Sequence, residues 1–387
     1  MKLTLKKELL LNELNKVNKA IDSRTPLESL TGIKLTLNET GLELLASDSD
    51  LSIKTIMPLD ELKVKENGSV LLDAKYLVEV VKNVRAEDIT LEEKDSHVLL
   101  KAGKSKFKLV KMDVYTYPKI DFSIEQSKLL KVKSLDFKKA VDHTVYATST
   151  QETRPILTGV NIKNKNNTLI ATACDSYRYA KYIVPFTSEI NDISFDFTLP
   201  RKSVVETSKL LGNIDEEVEI LVAERGLIIR TKELLIKTRL IDGTYPDIDR
   251  LTPSIENSLM ELKFNKNELL EKLENNKIVV NTAQPTTVFS IVNEKNEETG
   301  EVTNRSFYLS AQSDVGDSVE ELENIDQTKI IKDNYKIAFN NNFLIETLRK
   351  LNDDEVIIYF NQCTQAFLVK PSSTNNELHL LLPYRVR

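Results

Sequence analysis

Three stretches of the chain align with one another without gaps: 72–84, 199–211 and 339–351. Each reads as the apolar end of a strand, a cap position and then a helix. Counted from Leu77, Val204 and Leu344, apolar residues fall at relative positions 0, 4 and 7, with Ser208 the one exception. Glu79, Glu206 and Glu346 are each followed three residues later by a base, Lys82, Lys209 and Arg349. The spacing predicts an amphipathic helix with an i,i+3 ion pair on its open face.

Other blocks keep the same offset. Thr31-Gly32-Ile33 matches Thr158-Gly159-Val160, and the run from Leu42 through Asp48-Ser49 matches that from Leu169 through Asp175-Ser176, each 127 residues on. Tyr117-Pro118 matches Tyr245-Pro246 at 128. Helical periodicity recurs near the start of each copy, over 9–21, 137–147 and 269–280. Alternating runs at 218–222, 226–230 and 234–240 predict a strand meander. A chain of 387 residues is long for one domain of ~150 residues. The repeat divides it into three α+β domains, 1–127, 128–255 and 256–387, each with two helices on antiparallel sheet. The boundaries are expected in the polar stretches 125–128 and 252–256.

Several chemistries are missing from the residue types. The two cysteines, Cys174 and Cys363, are far apart and outside any CxxC, so both are expected as reduced core residues and no metal site is expected. His97, His143 and His379 show no metal-ligand spacing, and Asp142-His143 reads as a solvated helix face. No two of the ten glycines fall in a GxG or GxxxxG spacing, which excludes a P-loop or dinucleotide fingerprint and leaves no cofactor expected. No run approaches the ~18 apolar residues of a membrane helix, and charges at Lys2, Lys6 and Lys7 interrupt any signal-peptide core.

The net charge is −6, but its distribution is uneven. The six expected helices (6–22, 73–85, 135–149, 200–212, 265–280, 340–351) hold 17 Lys/Arg against 12 Asp/Glu, leaving 36 basic and 47 acidic residues elsewhere. Acid gathers in expected turns, at 92–93, 215–217, 294–301, 314–326 and 353–355. Helices gathered on one surface would make it positive, suited to a phosphate backbone read without sequence.

The most specific blocks are Arg154-Pro155-Ile156-Leu157-Thr158-Gly159-Val160, Asp175-Ser176-Tyr177-Arg178-Tyr179-Ala180, the run from Asp242 through Tyr245-Pro246 to Arg250-Leu251, and Leu381-Leu382-Pro383-Tyr384-Arg385. On these, and over essentially its whole length, the chain resembles the bacterial DNA sliding clamps, the β subunits of replicative DNA polymerase III. The resemblance implies three clamp-type domains per chain and a head-to-tail dimeric ring, with helices lining a channel for duplex DNA. It implies a non-enzymatic processivity factor, acting in the bacterial cytoplasm at the nucleoid. Its partners would be the clamp loader, the replicative polymerase and other replication and repair proteins with short hydrophobic motifs.

By the same resemblance, Arg24, Lys75, Gln151, Arg154, Pro155 and Ile156 would face DNA. A peptide groove would draw on Leu157, Cys174, Ser176, Tyr177, Arg178 and Tyr179 from the second domain. Pro246, Leu251, Thr364 and Ala366 would extend it, and Leu381, Leu382, Pro383, Tyr384 and Arg385 would close it. Phe107 and Leu109, on a strand edged by Lys106 and Lys108, would meet Ile278 and Val279 of another copy. The chain departs from the family pattern in three places. Its first domain lacks the Pro-Ile-Leu turn after Arg24, Tyr177 and Tyr179 replace commoner His and Leu, and Cys174 replaces a usual Thr. The segment 293–304 reads as an acidic hairpin tip.

Two other functions are open on the residues alone. An acid–base or metal-dependent enzyme could use Asp48 and Asp50. Asp48 recurs as Asp175, however, which points to turn chemistry. A monomeric peptide scaffold would use the groove without DNA.

Overall fold

The computed structural model describes residues 1–123, 128–165, 168–188, 194–212, 216–223, 226–280, 284–295, 302–332 and 334–385. The boundary stretch 125–127, Asp215 and the tip 296–301 lie outside them.

The repeated apolar spacing produces six α-helices among the described residues: α1 (Lys7–Val17), α2 (Ala74–Asn83), α3 (Ser134–Asp142), α4 (Arg201–Leu211), α5 (Lys266–Val279) and α6 (Asn341–Leu348). Short 3-10 turns extend α1 over Asn18–Ala20 and follow α3 over Val145–Ala147. All nine expected positions on the second helices and just beyond them are buried, Leu77, Val81 and Val84, Val204, Ser208 and Leu211, and Leu344, Leu348 and Leu351. Caps agree with the pattern: Asp73 Oδ1 accepts from Tyr76 N at 3.1 Å and Asn340 Oδ1 from Phe343 N at 3.3 Å.

The expected ion pairs do not all form. Glu206 and Lys209 pair at 2.7 Å. Arg349 instead pairs with Glu274 at 2.7 Å, and Glu346 with Arg178. Exposed i,i+3 pairs contribute only a few tenths of a kcal/mol, ~0.2–0.5, so tertiary partners readily displace them.

Among the described residues, the strands form three antiparallel sheets of fourteen, nine and five strands. The strand before each second helix keeps one register through the repeats: Gly32 lies opposite Asp73, Gly159 opposite Pro200, and Thr286 opposite Asn340. A Cβ on Gly159 would sit 2.3 Å from the Leu199 carbonyl oxygen, so this position requires a residue without one. The first helical residue of each repeat is tied in the same way. The amides of Lys7, Ser134 and Lys266 donate to the carbonyls of Glu87, Glu216 and Asp354, each at 2.8 Å. The Lys7 and Lys266 ammonium groups add bonds to Val84 O and Leu351 O, at 2.8 and 2.9 Å, near the ends of α2 and α6.

Two compact units result. The first comprises Met1–Leu135, Phe186–Ile193 and Val205–Leu240. It holds the fourteen-stranded sheet, in which Leu51–Met57 pairs with Leu234–Arg239, the last strand of the expected meander. The second comprises Asp136–Pro185, Ser194–Val204 and Ile241–Arg387. It holds the nine-stranded sheet, where Arg178–Pro185 pairs with Glu377–Leu381, and the five-stranded sheet, which ends on Gly316–Leu322 at one side and Pro383–Tyr384 at the other. Its main core centres on stacked Phe289 and Phe360, 4.9 Å apart.

Two expectations are corrected here. His143 is buried, not solvated: its Nδ1 meets Glu377 Oε1 at 2.7 Å and its ring packs on Tyr182. Cys174 is buried, but Cys363 is half-buried at the margin of the core.

Candidate functional site

The groove residues lie within the second unit, on a small apolar cluster of their own. Leu157, Cys174, Tyr179 and Ala366 are packed there with Tyr359, Leu368 and Leu380, and Tyr245 and Ile248 lean against them. Three of the expected groove residues are exposed apolar side chains: Leu251 is 75% exposed, Tyr177 57% and Leu382 41%. Leu381, by contrast, is a core residue. Thr364 and Pro246 are exposed.

Polar bonds fix the floor. The Tyr245 hydroxyl accepts from Cys174 N at 2.9 Å and lies 3.6 Å from Cys174 Sγ. Tyr179 donates its hydroxyl to Asp249 Oδ1 at 3.1 Å, and Lys181 donates to the same oxygen at 2.9 Å. Burial by itself would raise the Asp249 carboxyl; the Lys181 and Tyr179 bonds outweigh it and hold the group below its usual value. Burial pushes both the Tyr179 phenol and the Cys174 thiol up, so neither ionises readily. The floor is therefore apolar with a fixed charge at its margin, which suits capture of an apolar peptide and offers no nucleophile.

The turn carrying Tyr177 is built by Asp175. Its Oδ1 accepts from Tyr177 N and Arg178 N at 2.9 and 3.0 Å, and Ser176 takes φ 79°. Asp48 does the same with Asp50 N and Leu51 N at 3.0 and 2.7 Å, so this aspartate is a turn former. Among the described residues, no three acidic, His or Cys side chains are grouped to hold a metal.

At the chain's end, Leu382 N donates to Tyr177 O at 2.9 Å, and Asn340 Nδ2 donates to the Tyr384 hydroxyl at 2.9 Å. Pro383 and Tyr384 pair with Phe339 and Ala338; Arg385 is exposed. Tyr245, Asp249 and Glu346 were not anticipated as site residues. The first two lie inside the repeated Tyr-Pro block, which is the signal that could have found them.

Of the basic residues, Arg24 and Lys75 lie in the first unit and are exposed; Arg24 Nε lies 3.6 Å from Asp22. Gln151, Arg154 and Pro155 are exposed on a loop of the second unit, with Ile156 half-buried. This loop ends in a 3-10 turn, Pro155–Thr158, and the first repeat forms the matching turn Glu28–Thr31 without its proline. In both, the threonine hydroxyl donates back to the first carbonyl, at 2.7 and 2.8 Å. Different residues thus make one loop geometry.

Among the described residues, strand Ser105–Met112 pairs along one side with His97–Ala102, and on the other side only at Lys111 and Met112. Its remaining edge is open, with Phe107 36% and Val110 78% exposed. Gly316–Leu322 is the end strand of its sheet, contacted by α5. Near it Ile278 is 80% and Val319 65% exposed, and Val279 is half-buried.

Helix pairs recur on antiparallel sheet through the chain, as the sequence repeat requires. Family models agree: the DNA polymerase III beta subunit N-terminal, central and C-terminal domains match residues 1–121, 131–247 and 301–385 in order. A Bacillus subtilis protein named beta sliding clamp is 30% identical over 395 residues, with both chains wholly covered. A Staphylococcus aureus beta sliding clamp is also 30% identical, over 394 residues, covering all of this chain and 99% of its own. The crystal structure of the Bacillus subtilis DNA polymerase sliding clamp superposes with a TM-score of 0.89 at 30% identity over both full chains. The beta chain of Streptococcus pneumoniae DNA polymerase III gives 0.88 at 28%, again over both full chains. The chain belongs to the DNA polymerase III beta subunit family, the bacterial sliding clamps. Its function is that of a polymerase processivity factor, not an enzyme. No helix of the described residues is long and apolar enough to cross a membrane.

Proposed function

We propose that two copies close head to tail into a ring around duplex DNA and tether the replicative polymerase to it. The observation that carries this reading is the pair of open, charge-complementary edges. The strand Ser105–Met112 presents Lys106 and Lys108 around Phe107 and Leu109. The strand Gly316–Leu322 presents Asp317, Glu320 and Glu321 beside Ile278 and Val279 of α5. An open strand edge is normally blunted or paired, and opposite charges select the partner edge over a copy of itself. With one basic and one acidic edge of this kind per chain, two chains can close by pairing both.

In this ring each chain contributes three domains, 1–127, 128–255 and 256–387, and the net positive helices face DNA. Arg24, Lys75, Gln151 and the Arg154-Pro155-Ile156 turn contact the backbone. These contacts are weak and indifferent to sequence, so retention is topological. Short hydrophobic motifs of the polymerase, the clamp loader and repair proteins bind the groove floored by Leu157, Cys174, Tyr179 and Ala366. Tyr177, Leu251, Leu382, Pro383 and Tyr384 would form its walls, with work done in the cytoplasm at the nucleoid.

The test is loading onto nicked circular duplex with clamp loader and ATP, isolation in high salt, then linearisation. Retention on the circle and loss from the linear form is the expected result. Loss from both, with an active loader, would overturn the ring and leave peptide scaffolding as the account.

A further inference from the structure

Glu346 departs from the pattern of its own repeat. At the same place on α4, Glu206 pairs with Lys209 three residues on. Glu346, half-exposed on α6, releases Arg349 to Glu274 and reaches Arg178 Nη1 instead.

Arg178 is itself only 9% exposed, and its guanidinium is engaged on every side. Nε donates to Asp175 Oδ2 at 2.9 Å and Nη2 to the Tyr146 carbonyl at 2.9 Å. Its plane lies 4.4 Å from the Phe343 ring centre and 5.2 Å from that of Tyr146. One bond at each nitrogen and two rings against the guanidinium hold it in a single position. Arg178 therefore acts as the anchor of the turn it ends. That turn carries Tyr177, whose carbonyl receives the amide of Leu382 from the neighbouring chain end at 2.9 Å.

We propose that Glu346 is a positioning residue for the peptide groove: holding Arg178 from α6, it fixes the Asp175–Arg178 turn and so sets Tyr177 and Leu382 in register. The proposal rests on the groove reading above. Being half-exposed, Glu346 supplies little packing of its own, so its loss should act on the turn and not on the fold.

The experiment uses the full-length protein, fluorescein-labelled hexapeptides with leucine and phenylalanine at alternate positions, and the variants E346Q, Y177A and the double. E346Q should weaken peptide binding roughly tenfold, the scale of one lost charged hydrogen bond. It should also speed hydrogen exchange at the Leu382 amide. In the Y177A background E346Q should add nothing, because both act through one turn. An effect of E346Q below about twofold, or an equal effect with and without Tyr177, would overturn the proposal. If the wild-type protein binds none of the peptides, the groove reading fails. Exchange at Leu382 then decides alone, and an unchanged rate in E346Q would refute the contact's role.

Discussion

Ser49 and Ser176, 127 residues apart in the chain, hold the same left-handed backbone position, with φ of 84° and 79°. In each case the preceding aspartate accepts the two amides that follow. The turns differ in their cargo: the first continues into buried Leu51, the second into buried Arg178, beside the proposed groove.

That difference predicts unequal costs. Asp48→Ala removes two charge-assisted bonds to amides, a loss of about 1–3 kcal/mol. Asp175→Ala removes the same two and also the ion pair with Arg178, leaving a buried guanidinium with one carboxylate fewer. Urea unfolding should show the larger loss for Asp175→Ala. Equal losses would mean that the Arg178 pair contributes nothing.

The repeat was readable because it is written in local pattern: helical spacing, caps and turn formers recur at fixed offsets, and the structure keeps them. Ser208 shows the same point in reverse, since a polar residue at an apolar position is still buried where the helix face dictates. What the pattern could not carry was the choice between distant partners. Nothing local distinguishes a Glu346 that pairs with Arg349 from one that crosses to Arg178. Likewise, Leu51–Met57 meets Leu234–Arg239 across a long sequence gap, with Thr55 opposite Leu234. His143 was misread for the same reason, because its burial depends on Glu377, 234 residues away.

The buried trio of His143, Glu377 and His379 gives a pH dependence with a defined sign. One oxygen of Glu377 meets His143 Nδ1 at 2.7 Å and His379 Nε2 at 2.8 Å. Burial by itself would raise this carboxyl, but the two histidine bonds outweigh it and hold it below the ordinary 4.5. A carboxyl depressed in the folded state stabilises above its unfolded value, and that contribution disappears as pH falls through the folded value. The stability gap between the wild type and Glu377→Gln should therefore be full above 4.5 and close progressively below it. A gap that stays constant from neutral to acid pH would show that Glu377 is not held in its charged form.

The open edges predict how the dimer responds to substitution and salt. Phe107→Ala and Ile278→Ala remove exposed apolar anchors, each expected to cost about 1–3 kcal/mol of association. Sedimentation velocity at micromolar protein should then show monomer, while thermal unfolding of the single chain changes little. Because one edge is basic and the other acidic, added salt should weaken the wild-type dimer too. A dimer unmoved by either residue would place the interface elsewhere.

Arg24 and Lys75 separate electrostatic from topological holding of DNA. Both are exposed, and Arg24 already shares its charge with Asp22 at 3.6 Å. Lys75, whose ammonium lies 5.9 Å from the Tyr76 ring centre, has no carboxylate of the described residues within pairing distance, so it should be the stronger phosphate contact. Direct binding of the unloaded protein to a short duplex, followed against salt, should lose roughly 0.9 of slope for each phosphate contact removed. Lys75→Ala should lose more of that slope than Arg24→Ala. Retention on closed circles after a high-salt wash should be the same for both variants and the wild type, since a closed ring needs no ionic contact to stay on. If either variant washed off intact circles, holding would be ionic, and the ring would not explain processivity.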